Sequence, residues 1–176
     1  MKTFRQYLVE STNSPDLSVD FHLAGHFGSG KSTAIEKSGI SKRATIIDLD
    51  TIDEELQKKY GSKPTDDKNL KFWHEKFKNL YIQKVVEAKK LNKPIGVVGH
   101  HYEGDLKFAP IDAKQKFYID LPKEQIFDQR RKRDSSDKNL TDEYLNTEYE
   151  MVQDQLDREN YEPMSFEEIV KQLKQF

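Results

Sequence analysis

Between Leu23 and Thr33 the chain reads LAGHFGSGKST. Three glycines, Gly25, Gly28 and Gly30, precede a lysine and two hydroxyl residues, and the spacing Gly25-x-x-x-x-Gly30-Lys31-Ser32 satisfies the Walker A pattern. Glycine admits backbone conformations that a Cβ forbids, so successive N–H groups of the loop, that of Ser29 included, can turn inward as a nest for phosphate oxygens. A helix beginning near Lys31 adds roughly half a positive charge at its N-terminus. The chemistry such a loop serves is the holding of a nucleoside triphosphate. Lys31 can reach the β- and γ-phosphates, the Ser32 hydroxyl can ligate Mg²⁺, and Thr33 lies nearer the α-phosphate. The plainer alternative is a glycine-rich turn that only joins strand to helix.

A second group of chemical residues follows in IIDLDTIDEEL, residues 46–56. Asp48 and Asp50, one residue apart at the expected end of a strand, can divide two tasks: one reaches Mg²⁺ through water, the other accepts a proton from an acceptor hydroxyl. Against this, Asp50 could simply cap the next helix, although Thr51 could do that instead. Asp53 is expected beside the same substrate. His100 and His101 end another apolar run and face the same crevice, where an imidazole could bind substrate or relay a proton. RRKR, Arg130–Arg133, is the densest positive cluster. Arg130 and Arg133, three apart, share a helix face and could close on a transferring phosphoryl group, the alternative being a solvated surface. Trp73, Phe77 and Tyr81 form a stripe at helical spacing, read as core rather than as a platform for stacking bases.

Several classes are excluded by what is missing. No Asp-x-x-Gly or Asn-Lys-x-Asp occurs, LNKPIG having Ile95 where a guanine-reading aspartate would stand. No apolar strand ends in Asp-Glu; the nearest candidate, FYID, has Asp120 followed by Leu-Pro. Lys and Arg total 29 against 31 Asp and Glu, a net charge of −2, so any nucleic-acid contact rests on a local basic patch. The absence of cysteine rules out disulfides and sulfur-bound zinc and suits a reducing cytoplasm. Apolar runs fall far short of the roughly 20 residues a membrane helix needs, so no membrane contact is expected. With 176 residues the chain fits one domain, acting as a monomer or dimer.

The elements that must position these groups alternate. Residues 19–25 read as a first strand, with a helix from Lys31 to near Gly39; 44–50 as a second strand; and 51–60 as a helix with Thr51 and Glu54 as its capping box. Leu70, Trp73, Phe77, Leu80, Tyr81, Val85, Ala88 and Leu91 mark one long amphipathic helix. Strands at 94–99 and 116–121 follow, then helices from Pro122 to Arg133, from 141 to 157, and from Ser165, with Glu168 as capping partner. This alternation predicts an α/β fold with a parallel sheet covered on both faces.

With Walker A, a strand ending in Asp-x-Asp, a long helical insert, a third strand and then FYIDLPKEQIFDQRRKRD, the chain from about Val19 to its C-terminus resembles the small P-loop kinases of the shikimate, gluconate and nucleoside monophosphate group, and the kinase domain of polynucleotide kinases. The resemblance implies a P-loop NTPase fold of the adenylate/shikimate kinase kind, a three-layer sandwich with helical substrate and lid insertions. It also implies ATP and Mg²⁺ as cofactors, Asp48 facing the metal, Asp50 as substrate-binding carboxylate or general base, and Arg130 and Arg133 as lid arginines. The implied activity is transfer of the γ-phosphoryl group to a hydroxyl of a small molecule, a nucleotide or a nucleic acid, such as a 5′ end or a hydroxymethylpyrimidine. A nucleoside monophosphate kinase and a non-catalytic ATP-binding module are the alternatives. GHHYEGD replaces the glycine-rich turn of shikimate kinases after the third strand, and no arginine lies between Arg43 and Arg130, which argues against shikimate itself.

Residues 1–18 read as an extension and linker, 19–176 as the kinase domain. The opening MKTFRQYLVE resembles capsid-targeting peptides of internal head proteins of T-even-type phages, with Leu8, Val9 and Glu10 as the cleavage tripeptide; the alternative is a frayed amphipathic turn. The resemblance implies phage origin, with packaging into a head.

Overall fold

The computed structural model describes residues 15–64, 67–100, 111–135 and 140–176. Among the described residues, four partly apolar, partly β-branched runs and a short Glu-Pro-Met segment form five strands: β1 (Val19–Ala24), β2 (Thr45–Asp48), β3 (Ile95–Val98), β4 (Ala113–Ile119) and β5 (Glu162–Met164). All pairings are parallel, in the order β2-β3-β1-β4-β5. Parallel neighbours need crossovers; α1 (Lys31–Ser38) joins β1 to β2, α2 (Leu49–Tyr60) and α3 (Asp67–Lys89) join β2 to β3, α4 (Lys123–Arg133) and α5 (Asp142–Arg158) join β4 to β5, and α6 (Phe166–Leu173) follows β5.

Strand alternation sends side chains to two cores. Phe21, Leu23, Phe117 and Ile119 pack with Ala34 of α1 and Ile169 and Leu173 of α6, each large side chain contributing roughly 1.5–3 kcal/mol by leaving water. Ile47, Ile95 and Val97 pack with Ile52 and Leu56 of α2 and with Trp73, Phe77, Tyr81 and Val85 of α3. The aromatic stripe of α3 is therefore core, as expected. Phe21 lies opposite Gly96 in the register, and its ring occupies the place where a side chain would project: a Cβ on Gly96 would stand 2.0 Å from it.

Several boundaries differ from the sequence expectation. β2 stops at Asp48, and Asp50 lies in the first turn of α2 rather than in the strand. The expected Thr51/Glu54 capping box is not the cap; Asp48 is, its Oδ1 accepting from Asp50 N at 3.0 Å. α3 ends at Lys89, and Leu91, expected on its buried stripe, is exposed. β5 was not anticipated, because Glu162-Pro163-Met164 is too short and too polar to show a strand period. The Ser165/Glu168 capping box of α6 forms as expected. No helix among the described residues is long and apolar enough to cross a membrane. The phage-like opening, with Leu8, Val9 and Glu10, and His101 lie outside the described residues.

Candidate functional site

β1 ends at Ala24, and the chain then turns through Gly25, Gly28 and Gly30 with φ of 122°, 80° and 92°, angles open to glycine but strained for other residues. α1 starts at Lys31 with no side-chain cap and no acidic residue in its first turn, so no side chain of that turn answers its amide donors. The Lys31 ammonium donates to the carbonyls of Gly25 and His26, each at 2.8 Å, and so sits inside the loop. Burial draws its pKa down to about 8, opposed by the carboxylates of Asp50 and Asp48 and assisted by the Arg133 charge. The Ser29 hydroxyl is buried and has no hydrogen-bond partner among the described residues. Ser32 and Thr33 are exposed at the start of α1.

The two loop residues that match no pattern position have clear structural work. His26 is buried, stacks on Tyr149 of α5 at 4.3 Å and 7°, and donates from Nε2 to Gln153 Oε1 at 3.3 Å. Burial pushes its imidazole down to about 4, so it is neutral near pH 7. Phe27 lies beneath two arginines of α4: the Arg130 guanidinium stands 4.9 Å and that of Arg133 5.9 Å from its ring. Arg130 also pairs with Asp134 and, at 3.7 Å, with Glu148; Arg133 pairs with Asp134 at 3.1 Å. Arg131 pairs with Asp142 and with Asp128. The basic run thus carries its counter-charges with it, and the surface is less positive than RRKR suggests in isolation.

The carboxylates gather at the end of β2. Asp50 is drawn above the ordinary carboxylate range first by burial, then by the negative charge of Asp48. Asp53, one turn on, accepts from Trp73 Nε1 and from Gln57 Nε2, both at 3.1 Å. Asp50, Asp53 and His100 line one open cleft of about 220 Å³ together with Phe27, Lys63 and Phe77. Of the residues expected to meet substrate, the structure therefore brings Asp50, Asp53 and His100 to one cleft. The sequence did not single out Phe27, Gln57 or Lys63 for it; Gln57 could have been found from its i+4 spacing to Asp53.

A hard cation fits this donor set. Ser32 offers a hydroxyl at the loop, and Asp48 has a second carboxylate oxygen beyond the one that caps α2. Among the described residues no three His, Asp or Glu side chains form a cage of their own, so a Mg²⁺ here would also draw on phosphate and water oxygens, as that ion ordinarily does.

No family model and no curated protein matches the chain. Solved structures do. TT1252 from Thermus thermophilus is 15% identical over 88% of this chain and 93% of its own, with a TM-score of 0.60. A gluconokinase from Sinorhizobium meliloti 1021 is 15% identical over 88% and 89%, TM-score 0.49, and shikimate kinase from Aquifex aeolicus is 23% identical over 88% and 93%, TM-score 0.46. At these identities the likeness is one of fold: a parallel sheet in a helical sandwich.

Proposed function

We propose that this chain is an ATP-dependent kinase that transfers the γ-phosphoryl group to a hydroxyl of a small acceptor. The observation that supports this best is electrostatic: the Lys31 ammonium inside the loop and the Asp48 and Asp50 carboxylates act on one another, and Asp50 opens onto a cleft. Loop amides, Lys31 and the Ser29 hydroxyl bind the phosphates. Asp50 accepts the acceptor's hydroxyl proton as its oxygen bonds to the γ-phosphorus, the bond to the β-bridging oxygen breaks, and ADP leaves. Lys31, Arg130 and Arg133 hold the charge that develops on the transferring group. Mg²⁺, bound by Ser32 and through water by Asp48, would neutralise charge on the phosphate oxygens.

The open cleft of about 220 Å³ has room for a small acceptor. Incubation with γ-labelled ATP, Mg²⁺ and a panel of small hydroxyl compounds, nucleoside monophosphates and DNA with 5′-hydroxyl ends tests this. Label is expected in a small hydroxyl compound. Label in a monophosphate or a DNA end assigns a different acceptor, and ATP binding without any transfer identifies a binding module.

A further inference from the structure

From the charges lining the cleft beside Asp50, and resting on the kinase reading above, we infer that the acceptor is a small hydroxyl compound that also carries a positively charged amine, such as an amino alcohol or amino sugar. Among the described residues the lining holds three carboxylates, Asp50, Asp53 and Glu54, against the Lys63 ammonium and the His100 imidazole, and the Lys31 and Arg133 charges act on Asp50 from outside the lining. No ion pair to Asp50 or Asp53 is found among the described residues, and Glu54 has only a 4.0 Å approach from Lys58 at the surface. A bound triphosphate adds further negative charge next to this wall. A carboxylate or phosphate on the acceptor would meet like charges at Asp53 and Glu54, whereas an ammonium at Asp53 would meet a carboxylate held, among the described residues, only by neutral donors.

The geometry gives the two groups separate places. Asp50 and Asp53 stand three residues apart on α2, which sets their Cβ atoms about 5–6 Å apart on one helix face. Asp53 is the held member: Trp73 Nε1 fixes one oxygen and Gln57 Nε2 the other, and each oxygen keeps a further lone pair for a donor. Its surroundings are preorganised, since Trp73 is itself buried in the core. A hydroxyl at Asp50 and an ammonium at Asp53 match a separation found across a sugar ring. In the transfer step the hydroxyl gives its proton to Asp50 and takes the γ-phosphoryl group, while the amine stays protonated and unreacted. Phe27 and Phe77 supply apolar sides against which the carbon skeleton can lie.

Trp73 is the only tryptophan of the chain, so its fluorescence reports on Asp53. The full-length protein, with Mg²⁺ and a non-hydrolysable ATP analogue, is titrated with glucosamine, glucose and gluconate; analogue binding is followed calorimetrically in the same samples. Glucosamine is expected to half-saturate at a concentration about tenfold below glucose, with gluconate weakest, as an added charged hydrogen bond would give. In Asp53→Asn, which keeps an oxygen for Trp73 and removes the charge, the glucosamine advantage is expected to fall to about threefold or less. Should that variant not fold, Glu54→Gln at the same cleft is expected to reduce the advantage in the same direction. Gluconate or glucose binding as well as glucosamine, or no response to any of the three, overturns the acceptor class while leaving nucleotide binding intact. Loss of analogue binding in the wild-type protein overturns the kinase reading beneath it.

Discussion

The ends of β1 and β2 lie on either side of β3, and they are furnished on opposite terms. After β1 the chain presents backbone: glycines with positive φ, an uncapped helix start and one lysine folded into the loop. After β2 it presents side chains: a capping aspartate, a second aspartate raised by burial, and a third held by Trp73 and Gln57. On the proposed reading the first end serves a triphosphate, because phosphates are alike, and the second selects the acceptor, because side chains differ. Three groups join the two ends across this divide: Lys31, which feels Asp50 and Asp48, and Arg130 and Arg133, which sit over Phe27 of the loop.

A large loss is expected on the β1 side. Lys31→Met should reduce transfer by about 10²- to 10³-fold, as removal of a charge-stabilising donor does, measured with labelled ATP. The same variant should melt at a higher temperature, because a partly neutralised, buried ammonium is removed. Since the Lys31 pKa falls from 10.5 to about 8 on folding, its penalty is full below pH 8 and disappears as pH rises to 10.5. Thermal melts of wild type and variant at pH 7 and 10 check this: their difference should shrink at the higher pH.

A smaller effect is expected at the joint between the two ends. Phe27→Ala removes the ring beneath both guanidinium groups and should lower kcat by roughly tenfold, in line with one or two cation–π contacts. The pH profile of kcat/KM should be bell-shaped. It should rise as Asp50 loses its proton above the usual carboxylate pKa of 3.8, and fall near pH 8 as Lys31 loses its own. Smallest of all, Tyr149→Ala deprives His26 of its stacking partner and should cost about 1 kcal/mol of stability, roughly 2–4 °C in Tm, by calorimetry.

What could be read in the sequence follows the same division. The loop was legible because its work is backbone geometry, which demands glycine at set positions, and because α1 follows at once. The sheet was legible wherever β-branched or aromatic residues gather in a short run, and β5 was not, since Glu162 and Pro163 hide it. Asp48 and Asp50 were visible as a pair, and Asp50 lines the cleft, but the cap was not: it is Asp48, where Thr51 was expected. The places of His26 and Phe27 could not be read locally, because the partners that explain them, Tyr149, Gln153, Arg130 and Arg133, lie more than 100 residues away. The neutralisation of RRKR was hidden likewise, Asp142 and Glu148 belonging to a different helix.

The most direct test of phosphoryl transfer at this site is Asp50→Asn, with ATP affinity by calorimetry and transfer of the γ-label measured side by side. ATP affinity within about threefold of wild type, with transfer lowered by about 10²- to 10⁴-fold, is the expected result for a carboxylate that serves the acceptor rather than the nucleotide. Transfer at the wild-type rate would contradict it.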